Sequence, residues 1–389
     1  MIDPGTRIAI VGGGIGGLVA ALALKQAGFR PVIHERAGAF EDVGAGISLS
    51  PNAVHGLQWL GLGDSLAKSA NEPLEQRLCH AHSGALLQAI DRRHTRQTYG
   101  APYLQLHRAD LVAALAGRLA PEDVVLGAAL ASIESRSDGA ALHFADGRQV
   151  PADCVIAADG LRSVVRDQLF DSAAPVFSQH VAWRALVPAS RLPDEASAPF
   201  NINHLGSGRN IVSYPVRGRD LVNVVALTES AAWAEESWNA RASVAELAAG
   251  FSDFAPYVQA LIAALPDDNL FRWGLFTRQP LNNWVAGRTA LLGDAAHPML
   301  PYMGQGASSA IEDGVILARA FMASADVDSA LRFYSATRIP RASLLQAQSN
   351  LGGARLHAID PDRFQTVSLK DEDALGIFAY NPVTAPLAG

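Results

Sequence analysis

Two carboxylates in this sequence stand where an apolar run meets a glycine-rich turn. Asp294 ends "TALLGD" and precedes "AAHPMLPYMGQGA", where Pro298, Pro301, Gly304 and Gly306 follow in quick succession. Glu35 ends "PVIHE", 23 residues after Gly12. Gly12-x-Gly14-x-x-Gly17, with Ile15 and Gly16 inside it, directly follows "TRIAIV" and opens "LVAALALKQAG". The first glycine of such a turn permits the bend, the second lets the backbone approach a pyrophosphate, and the third lets helix and strand pack closely. A carboxylate at the end of the next strand accepts hydrogen bonds from ribose hydroxyls, which is the role expected of Glu35. The adjacent Arg36 reads equally well as a solvated surface residue.

The glycine turn alone does not separate NAD from FAD. A third motif, "DGLRSVVR", supplies Asp159-Gly160-x-Arg162-Ser163-x-x-Arg166 after another buried run. An extended FAD needs a partner for its ribityl hydroxyls as well as for its adenosine. Asp294 suits that task, and the helix after it can direct backbone N–H groups at the O2 side of the flavin ring. The plainer alternative for Asp294 is a helix N-cap.

These residues require a scaffold, and its elements are legible. "TRIAIV", "GGGIGG", "LVAALALKQAG" and "PVIHER" make one strand–turn–helix–strand unit. Between 130 and 160, short alternating runs broken by Asp138-Gly139 and Asp146-Gly147 predict a β-meander. Residues 174–275 read as a different lobe, with strands such as "NIVSYPV" and "LVNVVALT" and then a helical stretch. The expected fold is therefore mixed α/β and α+β. A Rossmann-like FAD-binding domain covers 1–173 and 276–389, with a β-sheet substrate lobe inserted at 174–275 and helices near the C-terminus.

At 389 residues and 49% hydrophobic composition the chain can bury one large core and an inserted lobe. A net charge of −7 gives no electrostatic reason to expect nucleic acid or an anionic membrane as partner. The two cysteines, Cys79 and Cys154, have no redox or metal spacing, and no secretory or membrane-spanning run is present, so a cytoplasmic setting is expected. His80-x-His82 has strand spacing without a third ligand nearby in sequence, and no metal site is expected.

The three motifs together resemble the single-component FAD-dependent aromatic hydroxylases, the p-hydroxybenzoate hydroxylase fold group. Within that group the chain is most similar to the salicylate hydroxylase, 3-hydroxybenzoate 6-hydroxylase and 6-hydroxynicotinate 3-monooxygenase branch. The resemblance implies further cofactor contacts: Arg108 in "LHRADL" at the phosphate and ribityl region, "GAGISLSPN" (44–52, including Gly46) near the flavin ring, and Leu130 at adenine. Asp159, Pro301, Gly304, Gly306 and Ala307 fall within its matched motifs. NADH or NADPH would reduce the FAD after transient docking. Dioxygen would then form a flavin C4a-hydroperoxide that transfers one oxygen atom to a hydroxylated aromatic or heteroaromatic acid. The partners implied are that small molecule and O2, with the chain a monomer or homodimer.

For the chemistry itself the candidates are Tyr214, Asn210 and Tyr302, with Arg184 or Arg209 for a substrate carboxylate. Several relatives place a histidine where Asn210, Tyr302 or Ser48 stands here, so the usual histidine base is missing. A tyrosine, whose reference pKa is about 10, is better suited to orienting a phenolate than to removing its proton. His297 is expected to be structural. The competing readings are a hydroxylase of a larger secondary-metabolite ring, a different flavoenzyme such as an amine oxidase, and a nucleotide-binding protein without turnover.

Overall fold

The computed structural model describes residues 1–40, 45–170, 173–231, 240–266, 269–357, 360–366, 372 and 374–388. Ile8–Val11 is buried along its whole length, because it lies inside a six-stranded sheet. In spatial order that sheet runs 285–286, 289–291, 154–157, 8–11, 32–34, 124–125. Ala9 pairs in parallel with Val155 on one side and Val32 on the other, and Val155 pairs in parallel with Thr289. Parallel strands covered on both faces read as continuous apolar runs, and this explains why "IAIV" and "CVIA" show no alternation.

The turn at Gly12 leads into the helix Ile15–Gln26, which packs against the helix Gly306–Ala323. A Cβ at Gly314 would stand 2.9 Å from the backbone nitrogen of Ala20, so only glycine permits this approach. The β-meander forms as expected from Leu130–Ser135, Ala140–Phe144 and Gln149–Ala152, all antiparallel.

A second sheet has eight strands, in the order 240–241, 271–277, 176–188, 221–229, 209–216, 200–206, 75–80, 86–91. Its 75–91 hairpin joins through a parallel pairing of 75–80 with 200–206, so the sheet reaches beyond the stretch 174–275. Its strands alternate between two surroundings, as a period of two requires. Val181, Trp183, Ile211, Val224 and Ala226 pack under the helices Val244–Gly250 and Pro256–Ala263. Arg184, Asn210, Tyr214, Val225 and Leu227 face a cavity between the two sheets instead.

The stretch "ALRFYSATRIPRASLLQAQSNL", which the sequence suggested as several helices, lies within one helix, Val327–His357, with Pro340 inside it. The tail after it folds back, and Ile377 and Phe378 pack with Tyr103 and Leu345. Cys79 and Cys154 are free and buried. Among the described residues no helix is long and apolar enough to cross a membrane.

Candidate active site

The cavity measures about 850 Å³ and runs from the N-terminal glycine turn to the second sheet. Gly12 has φ +100°, and a Cβ there would lie 2.4 Å from the carbonyl oxygen of Ala158. A Cβ at Gly17 would lie 2.0 Å from the carbonyl of Gly12, and one at Gly16 2.7 Å from Leu292. Gly14 is different: no atom lies within 4 Å of its Cβ position, which projects into the cavity mouth beside Ile15. The turn is thus closed on the protein side and open where a pyrophosphate would approach. Glu35 accepts hydrogen bonds from the backbone N–H of Gly13 at 2.6 Å and of Ala37 at 2.8 Å. Its carboxylate is held against the turn with acceptor capacity left for a ribose.

Arg108 and Asp294 face the middle of the cavity. Asp294 is deep in the protein, yet its side chain opens on the cavity itself, and no described residue donates a hydrogen bond to it. Burial raises its pKa, opposed by His297 and Arg108, while burial lowers that of Arg108, opposed by Asp294. The pair suits a polar chain carrying hydroxyls and phosphate. Gly304, with φ +61°, and Pro301 shape the following loop, and Gly306 and Ala307 open the helix whose N-terminus lines the cavity.

Beneath this loop lies a buried ion network that sequence reasoning missed. Arg338 bonds Glu312 and Asp313, each at 2.6 Å, and Arg341 adds two bonds of 2.8 Å to Glu312. Asp313 also accepts from the backbone N–H of Gly293 at 2.9 Å and pairs with His297 at 2.6 Å. His297 is therefore structural, as expected. The sequence holds both halves of the network, "IED" and "TRIPRA", but nothing in their spacing says that they meet. A second missed tie is Arg166. It donates to the carbonyls of Gln279, Ala295 and Ala296 and so fastens the "DGLRSVVR" helix to the loop after Asp294.

Other cofactor candidates occupy less direct places. Gly46 sits where a Cβ would come within 2.5 Å of Asn223, whose side-chain oxygen accepts from the Gly46 N–H at 2.7 Å. Its neighbour Gly44 lies outside the described residues. The carboxylate of Asp159 is used locally, accepting from the Ser163 hydroxyl at 2.6 Å and the Val165 N–H at 3.2 Å. Arg36 is exposed and away from the cavity. Leu130 also lies off the cavity, two residues beyond Ala128, whose N–H bonds the carbonyl of Glu35.

On the substrate side the structure separates the two arginines. Arg209 bonds Asp253 at 2.6 Å and the carbonyl of Gly250, stacks near Phe254 and does not line the cavity, so it is a structural salt bridge. Arg184 lines the cavity 4.9 Å above the Trp273 ring and has no carboxylate partner among the described residues. Burial lowers its pKa, opposed by Tyr214 nearby. Tyr214 lines the same wall, and burial pushes its phenol up to about 12, opposed by Arg184. Tyr103 and Ser48 complete this corner, with Ser48 between the two tyrosines.

Tyr302 and Asn210 border the cavity, but neither offers its polar atoms to it. The Tyr302 hydroxyl is buried without a hydrogen-bond partner beside Gly353, and the Tyr302 ring meets the rings of His180 and His357 edge-on. It therefore does not present its oxygen to a substrate. The Asn210 amide donates to Asn203 at 2.9 Å and accepts from His357 at 3.0 Å. Both fit wall and anchor positions better than the activating role expected of them.

A Rossmann-type turn, the carboxylate of Asp294 on the cavity wall and a sheet roofing an aromatic-lined cavity are features of the single-component flavin-dependent aromatic hydroxylases. The glycine turn open at Gly14 and the Arg108–Asp294 pair fit FAD. The chain belongs to the family described as FAD binding domain, whose model matches residues 5–349. It is 37% identical to a 3-amino-4-hydroxybenzoate 2-monooxygenase of Streptomyces platensis, over 96% of this chain and 95% of that protein. It is also 37% identical to a 6-hydroxynicotinate 3-monooxygenase of Bordetella bronchiseptica, over 88% of this chain and 90% of that protein. The structure of Klebsiella pneumoniae HpxO complexed with FAD and uric acid matches with TM-score 0.86 and 29% identity, over 96% of each chain.

Proposed function

We propose that this protein hydroxylates a small aromatic or heteroaromatic ring bearing both a carboxylate and a hydroxyl group. NADH or NADPH is the reductant and O2 the source of the oxygen atom. The observation that carries this reading is Arg184, a half-buried cation on the cavity wall with no carboxylate partner among the described residues. A planar guanidinium stacked on Trp273 matches a carboxylate in bidentate geometry. The names of the monooxygenases from Streptomyces and Bordetella, which act on an aminohydroxybenzoate and a hydroxynicotinate, support it.

In this reading Arg184 fixes the ring by its carboxylate and Tyr214 holds the ring hydroxyl. With its pKa pushed up to about 12, Tyr214 stays a neutral donor at pH 7, so it stabilises a phenolate rather than taking its proton. The positive charge of Arg184 nearby favours the same ionised form. Leu227, Leu275 and Leu300 supply apolar walls that keep water away. Bound FAD supplies the redox chemistry and the oxygen activation. The protein works in the cytoplasm, as a monomer or homodimer.

The test is a panel of hydroxybenzoic and hydroxypyridine carboxylic acids beside the same rings without the carboxylate. NAD(P)H oxidation is followed together with product mass, so that uncoupled turnover is recognised. Acids should be hydroxylated, and Arg184→Met should lower kcat/KM for them by roughly tenfold to a hundredfold, the loss of a charge-assisted contact of about 1.5–3 kcal/mol. Equal turnover of the carboxylate-free rings by both proteins would overturn the assignment.

A further inference from the structure

Outside the polar corner just described, two side chains of the second sheet meet the last residue of the helix Val327–His357. We propose that His180, Glu229 and His357 form a binding site for a first-row divalent metal ion of the Zn²⁺ type, stapling the end of the helix Val327–His357 to the sheet. One nitrogen of each histidine and one carboxylate oxygen all lie within 4.8 Å of one another.

The tautomers are set by their neighbours. Nδ1 of His180 lies 2.8 Å from the carbonyl oxygen of Ser178, which can only accept, so Nδ1 carries the proton and Nε2 keeps its lone pair. Nε2 of His357 lies 3.0 Å from the side-chain oxygen of Asn210, and the Asn210 amide donates to Asn203, which fixes its orientation. His357 therefore keeps its lone pair on Nδ1. These two nitrogens, Nε2 of His180 and Nδ1 of His357, are buried and have no hydrogen-bond partner. His357 is only 3% exposed, and the Glu229 carboxylate lies 3.7 Å from its free nitrogen. A backbone carbonyl or amide on the far nitrogen is the support that orients ligating histidines. Burial, aided by His180, also depresses the pKa of His357 to about 4, and the neutral form is the one that ligates.

The backbone is organised to match. His180 and Glu229 are cross-strand partners, and the strand bulges just before His180, where Gln179 takes φ +62°. Bulges re-aim side chains, and a left-handed non-glycine residue is the kind of strain kept for a reason. Gly208 donates its N–H to the carbonyl of His357 and accepts from the N–H of Glu229, holding the third ligand's chain to the other two. Two imidazoles and one carboxylate suit Zn²⁺, Co²⁺ or Fe²⁺ rather than Ca²⁺ or Mg²⁺. Tetrahedral ligand atoms stand roughly 3.4 Å apart for bonds of about 2.0–2.1 Å, so closure needs a shift of about 1 Å. Glu229, 58% exposed, is free to make it and leaves the remaining position to water. The sequence offered no such site, because its ligands are separated by 49 and 128 residues.

The test uses the FAD-loaded full chain, stripped with EDTA and titrated with Zn²⁺ by calorimetry, with Co²⁺ as an optical probe beyond the flavin absorbance. The wild type should take up one equivalent, with a rise in thermal midpoint and a cobalt ligand-field band. Losing an outer-shell partner costs about 10–100-fold in metal affinity, so His180→Ala and His357→Ala should each cost more than about 100-fold. Glu229→Gln changes an exposed side chain and decides the matter if His357→Ala loses its flavin or fold. His80→Ala should leave binding unchanged. No uptake by the wild type, or uptake that persists in Glu229→Gln and His180→Ala, would overturn the proposal.

Discussion

Two arginines, Arg338 fully buried and Arg184 half-buried on the cavity wall, have opposite surroundings. Arg338, fully buried, is bonded to two carboxylates and is itself part of a network with Arg341 and His297. Arg184 has a tryptophan face, a phenol and the cavity. A buried charge must be compensated, and the difference lies in what compensates it. Where the chain supplies both signs, the charge holds the fold, here the loop after Asp294. Where it supplies one sign at a cavity wall, the complement is expected to come with a ligand.

Arg338→Met should have the largest effect, because it leaves Glu312 and Asp313 short of their shared cation. Breaking a buried pair costs about 3–5 kcal/mol, and chemical denaturation should show a loss of that size. Asp294→Ala should come next, weakening FAD retention through dilution and gel filtration by roughly tenfold to a hundredfold while the fold is kept. Full flavin occupancy after that treatment would remove Asp294 from the cofactor site. Arg184→Met should do to the fold the reverse of Arg338→Met. Its thermal denaturation should match or exceed the wild type, since an uncompensated charge leaves the interior.

Acid should act on histidines that burial keeps neutral. Burial lowers His34, His204 and His357 to about 4, below their ordinary value of 6.5. The unfolded chain then binds more protons between those values, so stability is full above pH 6.5 and falls as pH drops towards 4. Denaturation midpoints across that range measure it, and His204→Phe should flatten the slope. The smallest effect is expected for Tyr302→Phe. Its hydroxyl has no partner to lose, so stability should change by less than about 1 kcal/mol and hydroxylation coupling should stay near wild type. A large rise in peroxide release would return Tyr302 to the chemistry.

The cofactor half was legible because its physics is local. Gly12, Gly14, Gly17 and Glu35 act through turn geometry and strand ends, which a short window of sequence displays. Arg184 and Arg209 could not be told apart in sequence. The choice depends on Asp253, which lies 44 residues beyond Arg209 and claims its guanidinium. The direction of the Tyr302 hydroxyl is set from still farther away. Gly352 and Gly353 leave room for its side chain, since a Cβ at either would come within 2.6 Å of the Tyr302 Cβ or 2.7 Å of its ring. Those glycines are in a helical stretch that gives no sign of what they accommodate. The 75–91 hairpin was likewise missed as part of the second sheet, because its partner strand begins more than a hundred residues later.

The alternation along that sheet divides its residues between two separate demands. On 209–216, Asn210, Val212 and Tyr214 border the cavity, whereas Ile211 packs beneath the helices and Ser213 meets Tyr257. On 221–229, Val225 and Leu227 border the cavity while Val222, Val224 and Ala226 belong to the packed side. Selection for a new substrate can therefore act on every other position while the intervening ones keep the sheet assembled. A library randomised at Val212, Val225 and Leu227 should yield mostly soluble, flavin-loaded proteins with altered ring preference. The same diversity placed at Ile211, Val224 and Ala226 should yield mostly aggregates. Descendants of such a scaffold can drift in diet without drifting in architecture.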